Sequence, residues 1–247
     1  MLSNEKLEKL EYNYLEIIKF HLIQDLNQII NGLNSRLLIF NDWYNQFIKI
    51  ARSGYKASDL ETGAERIFHH FFATIFKFPN SSPVGSDLMY IVPEAVLHID
   101  IKTALITNTS DYKGKINIAA NQSSYKIDNS FHPNLPTYYT VNKKKLPCLT
   151  YVIQIIHEHA KPDIKALILA SVPNGQLYPV YGNSIVQSEK SGVGKSKDFR
   201  FKYSTEPIFK LLSVQEKIFR VVLIYLSKKL STESITNNKD IPVYSQF

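Results

Sequence analysis

Residues 82–103 read SPVGSDLMYIVPEAVLHIDIKT and decide the fold class. Two segments rich in apolar and β-branched residues, Leu88–Val92 and Val96–Thr103, lie on either side of Pro93-Glu94. Short runs of this kind, separated by turn residues, are typical of neighbouring strands. The stretch therefore predicts an antiparallel β-hairpin.

The predicted hairpin brings two carboxylates together. A turn centred between residues 93 and 94 sets Asp87 opposite Asp100, and directly opposed residues of an antiparallel pair have Cβ atoms about 4.5–5.5 Å apart. Two carboxylates at this distance repel each other unless a cation lies between them. Because side chains alternate along a strand, His98, Asp100 and Lys102 share one face, while the isoleucines and leucine between them point towards the core.

Two carboxylates beside a lysine suit the metal-dependent hydrolysis of phosphodiesters. Mg²⁺ usually binds one or two carboxylates together with water and phosphate oxygens, so Asp87 and Asp100 are candidate ligands and the carbonyl of Ile101 could add a third. Bound Mg²⁺ polarises a phosphoryl group and activates water, and Lys102 could position that water or stabilise charge on the phosphate. The alternative is that these charges only line a solvated sheet face.

The remaining pattern predicts an α/β (α+β) fold in which helices flank a central mixed β-sheet. Apolar spacings of three and four predict a helix over residues 3–31 that Asn31-Gly32 ends, a second over 33–51, and a third from an N-cap at Thr62 to Phe76. Further strands are predicted at Ile116–Ala120, Leu149–His157, Ala166–Val172, Leu177–Val180 and Phe199–Tyr203. A last helix is predicted over Glu206–Leu230. We expect one domain over residues 1–247, with an N-terminal helical region (1–60), a catalytic core (61–205) and the C-terminal helix (206–230).

Composition narrows the class of protein. Hydrophobic residues make up 44% of the 247-residue chain and charged residues 21%, which excludes disorder for the bulk of it. No membrane span is expected, because no apolar run approaches the roughly 18 residues that a span needs. No signal peptide is expected either, because the N-terminal residues include carboxylates and have no apolar core segment. A single cysteine, Cys148, excludes an internal disulfide framework, so we expect a reducing compartment, the cytoplasm. We also expect the side chain of Cys148 to be buried. The net charge of +7 favours an anionic partner such as nucleic acid.

Asp87 and the run Ile99-Asp100-Ile101-Lys102-Thr103 resemble the PD-(D/E)xK superfamily of nucleases, and within it the type II restriction endonucleases of the EcoRV/HincII kind. The family usually has proline directly before the first aspartate, whereas this chain has Ser86 there. The resemblance implies a restriction-endonuclease-like core in which Asp87 and Asp100 hold the metal and Lys102 assists the nucleophile. It also implies an acidic residue on the preceding helix, for which Glu65 is the candidate; Glu61 competes for that role, and Glu65 could be only a helix cap.

A basic loop within residues 187–202 is the main candidate for DNA contact. Its Gly-Lys-Ser does not form a nucleotide-binding loop, because Glu189 stands where that motif requires glycine. Cations can neutralise phosphates and glycines allow close backbone approach; the alternative is a solvated surface loop. The predicted DNA contacts are Lys190, Gly192, Gly194, Lys195, Ser196, Lys197 and Arg200, together with Asn121 and Gln122 from a second polar segment.

The sequence thus predicts a Mg²⁺-dependent type II restriction endonuclease that cleaves double-stranded DNA. The resemblance implies products with 5′-phosphate ends and a companion DNA methyltransferase in a bacterial host. Cutting both strands needs two sites, so we expect a homodimer, with the N-terminal helices as the candidate contact and core packing as the other use of their apolar faces. The alternatives are a structure-specific repair or junction nuclease of the same superfamily and a non-catalytic nucleic-acid-binding module.

Overall fold

The computed structural model describes residues 1–35, 59–77, 86–126, 132–158, 163–188 and 199–245. The first three helices precede the strands, and two short helices follow later in the chain; together with a mixed sheet, they confirm the predicted α/β (α+β) class. The helices are α1 (Asn4–Gln24), α2 (26–35 in the described part), α3 (Asp59–Phe76), α4 (Tyr178–Tyr181) and α5 (Thr232–Thr236). The strands are β1 (Leu88–Ile91), β2 (Val96–Leu105), β3 (Lys115–Ile118), β4 (Tyr138–Val141), β5 (Lys144–His157), β6 (Ile164–Val172), β7 (Val186–Ser188), β8 (Phe199–Lys202) and β9 (Val221–Leu226).

A mixed sheet forms the centre of the fold, as predicted. Within the described residues it has six strands in the order β1-β2-β5-β6-β9, with β4 paired to the first residues of β5. The β2–β5 pair is parallel and the other pairs are antiparallel. A smaller antiparallel sheet in the same described part has the order β3-β8-β7.

Long apolar strands place the core on the central sheet. Every residue of β6 is buried, and so is nearly all of β5. Strands covered on both faces have continuous apolar runs instead of alternating ones, and β-branched residues fit the pleated backbone. Helix α1 packs against β5, β6 and β9, while α3 packs against β2. None of the helices in the described ranges is both long enough and apolar enough to cross a membrane.

The β1–β2 hairpin forms with the predicted register. Leu88 pairs with Ile99 and Ile91 with Val96, which centres the turn between residues 93 and 94. The same register continued by one residue sets Asp87 against Asp100. Strand β2 also pairs with β5 along its whole length, so in the described sheet β2 lies inside and β1 forms the edge. Residues 96–101 of β2 are all buried, which shows that this part of the strand is covered on both faces.

The N-terminal helices differ from the prediction at their ends. Helix α1 stops at Gln24, and helical turns resume over residues 26–35, through the predicted stop at Asn31-Gly32. Gly32 does not end the helix because it packs closely against Ile67 of α3, and Leu33 beside it is fully buried. Helix α3 begins at Asp59 instead of Thr62, since burial of Leu60 extends its apolar face by one turn. Residues 36–51 of the second predicted helix lie outside the described residues.

Two predictions in the C-terminal half are wrong. The predicted strand at 177–180 is helical, because Asn174 caps a short 3₁₀ turn that leads into α4, whose first turn contains a proline. The predicted helix over 206–230 is mostly irregular chain followed by β9. Its run Val221-Val222-Leu223-Ile224 is rich in β-branched residues and completes the edge of the sheet beside β6, so tertiary pairing outweighs helical periodicity.

A buried ion cluster fixes α1 to this edge of the sheet. Arg220, directly before β9, contacts Glu8 at 3.1 Å and Glu11 at 2.7 Å, and all three side chains are completely buried. Tyr181 donates a hydrogen bond to Glu8 and accepts one of 2.7 Å from Arg220 Nε. The second carboxylate oxygen of Glu8 accepts from the backbone N–H groups of residues 211 and 212. The neighbouring carboxylates raise the pKa of Arg220, so the guanidinium stays charged.

Candidate active site

Asp87 and Asp100 lie side by side at the open end of the hairpin. Asp87 directly precedes β1, and Asp100 is in the middle of β2. The carboxylate of Asp87 accepts a hydrogen bond of 2.5 Å from the backbone N–H of Ile101, which holds this loop residue against β2. Asp87 is half-buried, whereas Asp100 is only 1% exposed. The pair therefore opens to solvent on the side of Asp87.

Lys102 and Gln122 are the polar partners of Asp100. Lys102 Nζ lies 2.8 Å from Asp100 Oδ2 in an ion pair, and the side chain of Lys102 is 21% exposed. Gln122 Nε2 donates a hydrogen bond of 3.0 Å to Asp100 Oδ1. Burial raises the pKa of Asp100 to about 7, and Asp87 also raises it, while Lys102 opposes both. The single ammonium of Lys102 therefore does not compensate the negative charge of both carboxylates.

This shortage of positive charge fits a divalent cation. The available donors are the two carboxylates and the carbonyl of Ile101, all hard oxygen ligands of the kind that Mg²⁺ binds. Across the described part of the chain, no three His, Cys, Asp or Glu side chains group in a way that could hold a metal ion. Two carboxylates remain sufficient for Mg²⁺, because water and substrate phosphate commonly complete its coordination.

His98 lies on the same face of β2 as Asp100, but its ring nitrogens contact other residues and not the two carboxylates. Its two nitrogens contact Ser86 Oγ at 2.9 Å and Tyr139 Oη at 3.0 Å. The side chain is fully buried, and burial lowers the pKa of His98 to about 4, so its imidazole is neutral near pH 7. His98 therefore adds no positive charge to the site.

The structure describes only part of the predicted periphery of the site. Glu65 is half-buried on α3, the helix that packs against β2, and its role remains a prediction. Asn121 is half-buried in a 3₁₀ turn over 120–122, and its contact with DNA likewise remains a prediction. The loop residues Lys190, Gly192, Gly194, Lys195, Ser196 and Lys197 lie outside the described residues.

Arg200 and Gln122, two of the predicted DNA contacts, form hydrogen bonds within the protein. Arg200 is 1% exposed in β8, where it pairs with Asp111 at 3.2 Å and donates to Asn117 at 3.1 Å. These contacts join β8 to the loop after β2, and a contact between Arg200 and DNA remains a prediction. Gln122 donates to Asp100 and accepts from the backbone N–H of Ala119 at 2.8 Å. Both ends of its amide are thus engaged within the site.

Sequence reasoning does not find the link between Gln122 and Asp100. The two residues are 22 positions apart and belong to different elements, a 3₁₀ turn and a strand. The contact depends on the path of the chain after β2, for which no local pattern gives a signal. The hydrogen bonds of His98 with Ser86 and Tyr139 escape sequence reasoning for the same reason.

Comparisons with known proteins give one family and one fold. The family model for the N-terminal domain of the type II restriction enzyme MwoI matches residues 4–161, and that for the central domain of the same enzyme matches residues 164–226. No curated protein sequence matches the chain.

Two solved structures share the fold. The restriction endonuclease BglI, bound to its DNA recognition sequence, is 15% identical with a TM-score of 0.59, over 90% of this chain and 91% of BglI. The tetrameric restriction endonuclease SfiI, bound to cognate DNA, is 13% identical with a TM-score of 0.53, over 82% of this chain and 80% of SfiI. At these identities the similarity establishes the architecture, a mixed sheet with flanking helices.

Proposed function

Because the chain belongs to the family of the type II restriction enzyme MwoI, and is therefore a site-specific deoxyribonuclease, we propose that Asp87, Asp100 and Lys102 form its active site. The observation that carries this proposal is the pair of adjacent carboxylates, one of them buried, with a single lysine beside them. The family favours this function over a structure-specific repair nuclease and over a non-catalytic binding module.

The chain's own residues supply the binding and orientation that the reaction requires. A bound Mg²⁺ would polarise the scissile phosphate and lower the pKa of a coordinated water. Asp87 and Asp100 would hold this ion, with the carbonyl of Ile101 as the third protein oxygen. The N–H of Ile101 fixes the carboxylate of Asp87, and Gln122 fixes that of Asp100, so both ligands are oriented before the ion binds.

Lys102 is the cation that remains for the substrate. Its ammonium lies beside Asp100, yet its side chain retains partial exposure, so it faces both the ligand and the solvent side of the site. From there it would orient the attacking water and stabilise the negative charge that develops on the phosphate. Its ion pair with Asp100 also lowers the pKa of that carboxyl, which favours the ionised form that a metal needs.

The substrate we propose is double-stranded DNA, cut to leave 5′-phosphate ends. The net charge of +7 and the lysines of the 187–202 loop support binding to a polyanion. Hydrolysis of both strands needs two active sites and this hairpin supplies one per chain, so we propose a homodimer in which twofold symmetry matches a symmetric DNA site. A companion DNA methyltransferase would protect the DNA of a bacterial host from cleavage in the cytoplasm.

Cleavage by site variants tests the assignment. Asp100→Asn keeps the size of the side chain and removes its charge, and Lys102→Met keeps its length and removes its ammonium. We expect both to slow single-turnover cleavage of plasmid DNA by at least about 10²-fold while DNA affinity in Ca²⁺ stays within about threefold. Lys228→Met, at an exposed lysine after β9, is the matched control and should cleave normally. Wild-type cleavage by Asp100→Asn or Lys102→Met would overturn the assignment.

A further inference from the structure

Behind Asp87 lies a chain of three polar side chains, Ser86, His98 and Tyr139. The neutral ring of His98 joins the other two, with its Nδ1 2.9 Å from Ser86 Oγ and its Nε2 3.0 Å from Tyr139 Oη. His98 is fully buried, whereas Ser86 and Tyr139 are half-buried. These contacts connect β2 and β4 to the residue that directly precedes the first proposed metal ligand.

The direction of each hydrogen bond follows from the number of protons. Ser86 Oγ donates its one hydrogen to the carbonyl of Leu88 at 2.9 Å, so it accepts from His98 Nδ1–H. In a neutral imidazole the other nitrogen is then an acceptor, and His98 Nε2 accepts from the hydroxyl of Tyr139. All three hydrogen bonds therefore point in the same donor-to-acceptor direction, from Tyr139 through His98 and Ser86 to the carbonyl of Leu88.

This series of hydrogen bonds spans the backbone of Asp87. Its last hydrogen bond joins Ser86 to Leu88, the residues on either side of Asp87, and thereby restrains the turn that carries the carboxylate. The N–H of Ile101 holds the other end of the same residue, the carboxylate itself. If only packing mattered, an apolar residue would fill the place of His98 without the free-energy cost of burying two polar nitrogens. A histidine that forms hydrogen bonds can instead fix the orientation of a metal ligand, as outer-shell partners of metal sites do.

We propose that His98 and Tyr139 are positioning residues for the carboxylate of Asp87, acting through Ser86. The proposal rests on the proposed function, because it takes Asp87 as a metal ligand. It assigns to a serine–histidine–tyrosine chain the task of holding Asp87 in the geometry that binds the ion. In this proposal neither His98 nor Tyr139 contacts the metal or DNA; both act through Ser86.

The test compares two substitutions of His98. His98→Leu keeps a comparable apolar volume and removes both hydrogen bonds, while His98→Asn retains an N–H donor near the position of Nδ1. Binding of Mn²⁺ to the protein is measured from the loss of the free-ion EPR signal, and the Mg²⁺ concentration for half-maximal cleavage is measured in parallel. We expect His98→Leu to weaken Mn²⁺ binding at least about tenfold, within the range typical of outer-shell partners, and His98→Asn to restore most of it.

A purely structural role predicts a different result. Loss of packing would lower the melting temperature of His98→Leu and leave the Mn²⁺ affinity of its folded form unchanged, and that outcome overturns the proposal. If His98→Leu does not fold, Ser86→Ala removes the same link at a half-buried position and should also lose about tenfold in Mn²⁺ affinity; wild-type affinity in Ser86→Ala likewise overturns the proposal. Failure of the wild-type protein itself to bind Mn²⁺ or to cleave with Mg²⁺ would instead overturn the proposed function.

Discussion

The buried ion cluster of α1 and β9 gives the largest expected change in stability. Replacing Arg220 with methionine removes the guanidinium of this cluster and leaves Glu8 and Glu11, both completely buried, without their cation. It also removes the hydrogen bond to Tyr181 and the stacking of the guanidinium 4.1 Å from the ring centre of Phe209.

The expected loss is about 4–5 kcal/mol in the free energy of unfolding. Removing one partner of a buried ion pair costs about 3–5 kcal/mol because a charge stays buried without compensation, and here two carboxylates are affected. A domain is stable by only about 5–15 kcal/mol, so Arg220→Met loses a large part of the total. At about 2–4 °C per kcal/mol for a chain of this size, the melting temperature should fall by about 8–20 °C.

Urea unfolding followed by far-UV circular dichroism measures this loss directly. Lys217→Met is the control, because Lys217 is 67% exposed and an ion pair at the surface, such as the one it forms with Asp240, contributes little to stability. Adding Glu8→Gln and Glu11→Gln to Arg220→Met should recover about half of the loss, since the remaining groups are then uncharged. A loss below about 1 kcal/mol for Arg220→Met, or no recovery in the triple variant, would show that burial of these charges does not govern stability.

Three further predictions follow from the site and the core. Gln122→Leu removes one hydrogen bond from Asp100 and should lower the single-turnover cleavage rate about tenfold, equivalent to about 1.4 kcal/mol, with unchanged DNA affinity in a filter-binding assay; a loss of affinity alone would make Gln122 a DNA contact instead. Burial raises the pKa of the Cys148 thiol to about 12, so the native protein should not react with a thiol reagent such as DTNB until urea unfolds it, and rapid native labelling would contradict its burial. Lys195→Ala should reduce the slope of log affinity against log salt concentration by about 0.9. Arg200→Ala should leave that slope unchanged and lower the melting temperature, because Arg200 is buried against Asp111. A changed slope for Arg200→Ala and an unchanged one for Lys195→Ala would reverse these two roles.

The part of the fold that local sequence determines can be predicted. The register of the β1–β2 hairpin depends on one turn, Pro93-Glu94, and on a period of two in the flanking strands, so the residue pattern alone pairs Asp87 with Asp100 correctly. The predicted C-terminal ends of β5 and β6, His157 and Val172, coincide with the observed ones because each strand is a long apolar run. Strand β5 begins at Lys144 instead of Leu149, since its first residues pair with β4.

The part that depends on distant contacts cannot be predicted in this way. The run that begins at Val221 has apolar residues compatible with helix or strand, and it becomes β9 because β6 offers an open edge and Arg220 pairs with two glutamates of α1, more than 200 residues earlier in the chain. In the site, the charge of Arg200 favours a DNA contact, but its acidic partner Asp111 comes from a loop far away in sequence. Charge and polarity indicate that a residue interacts, while its partner is set by the tertiary fold.

We propose that the opposed carboxylates of this hairpin support metal-dependent, sequence-specific cleavage of DNA. The most direct test is a digest of phage and plasmid DNA by the purified protein in Mg²⁺ and in EDTA, followed by sequencing of the fragment ends. We expect discrete fragments in Mg²⁺ only, with 5′-phosphate ends that share one sequence, and intact DNA with Asp100→Asn. Intact DNA from the wild-type protein in Mg²⁺, or equal cleavage by Asp100→Asn, would contradict the claim.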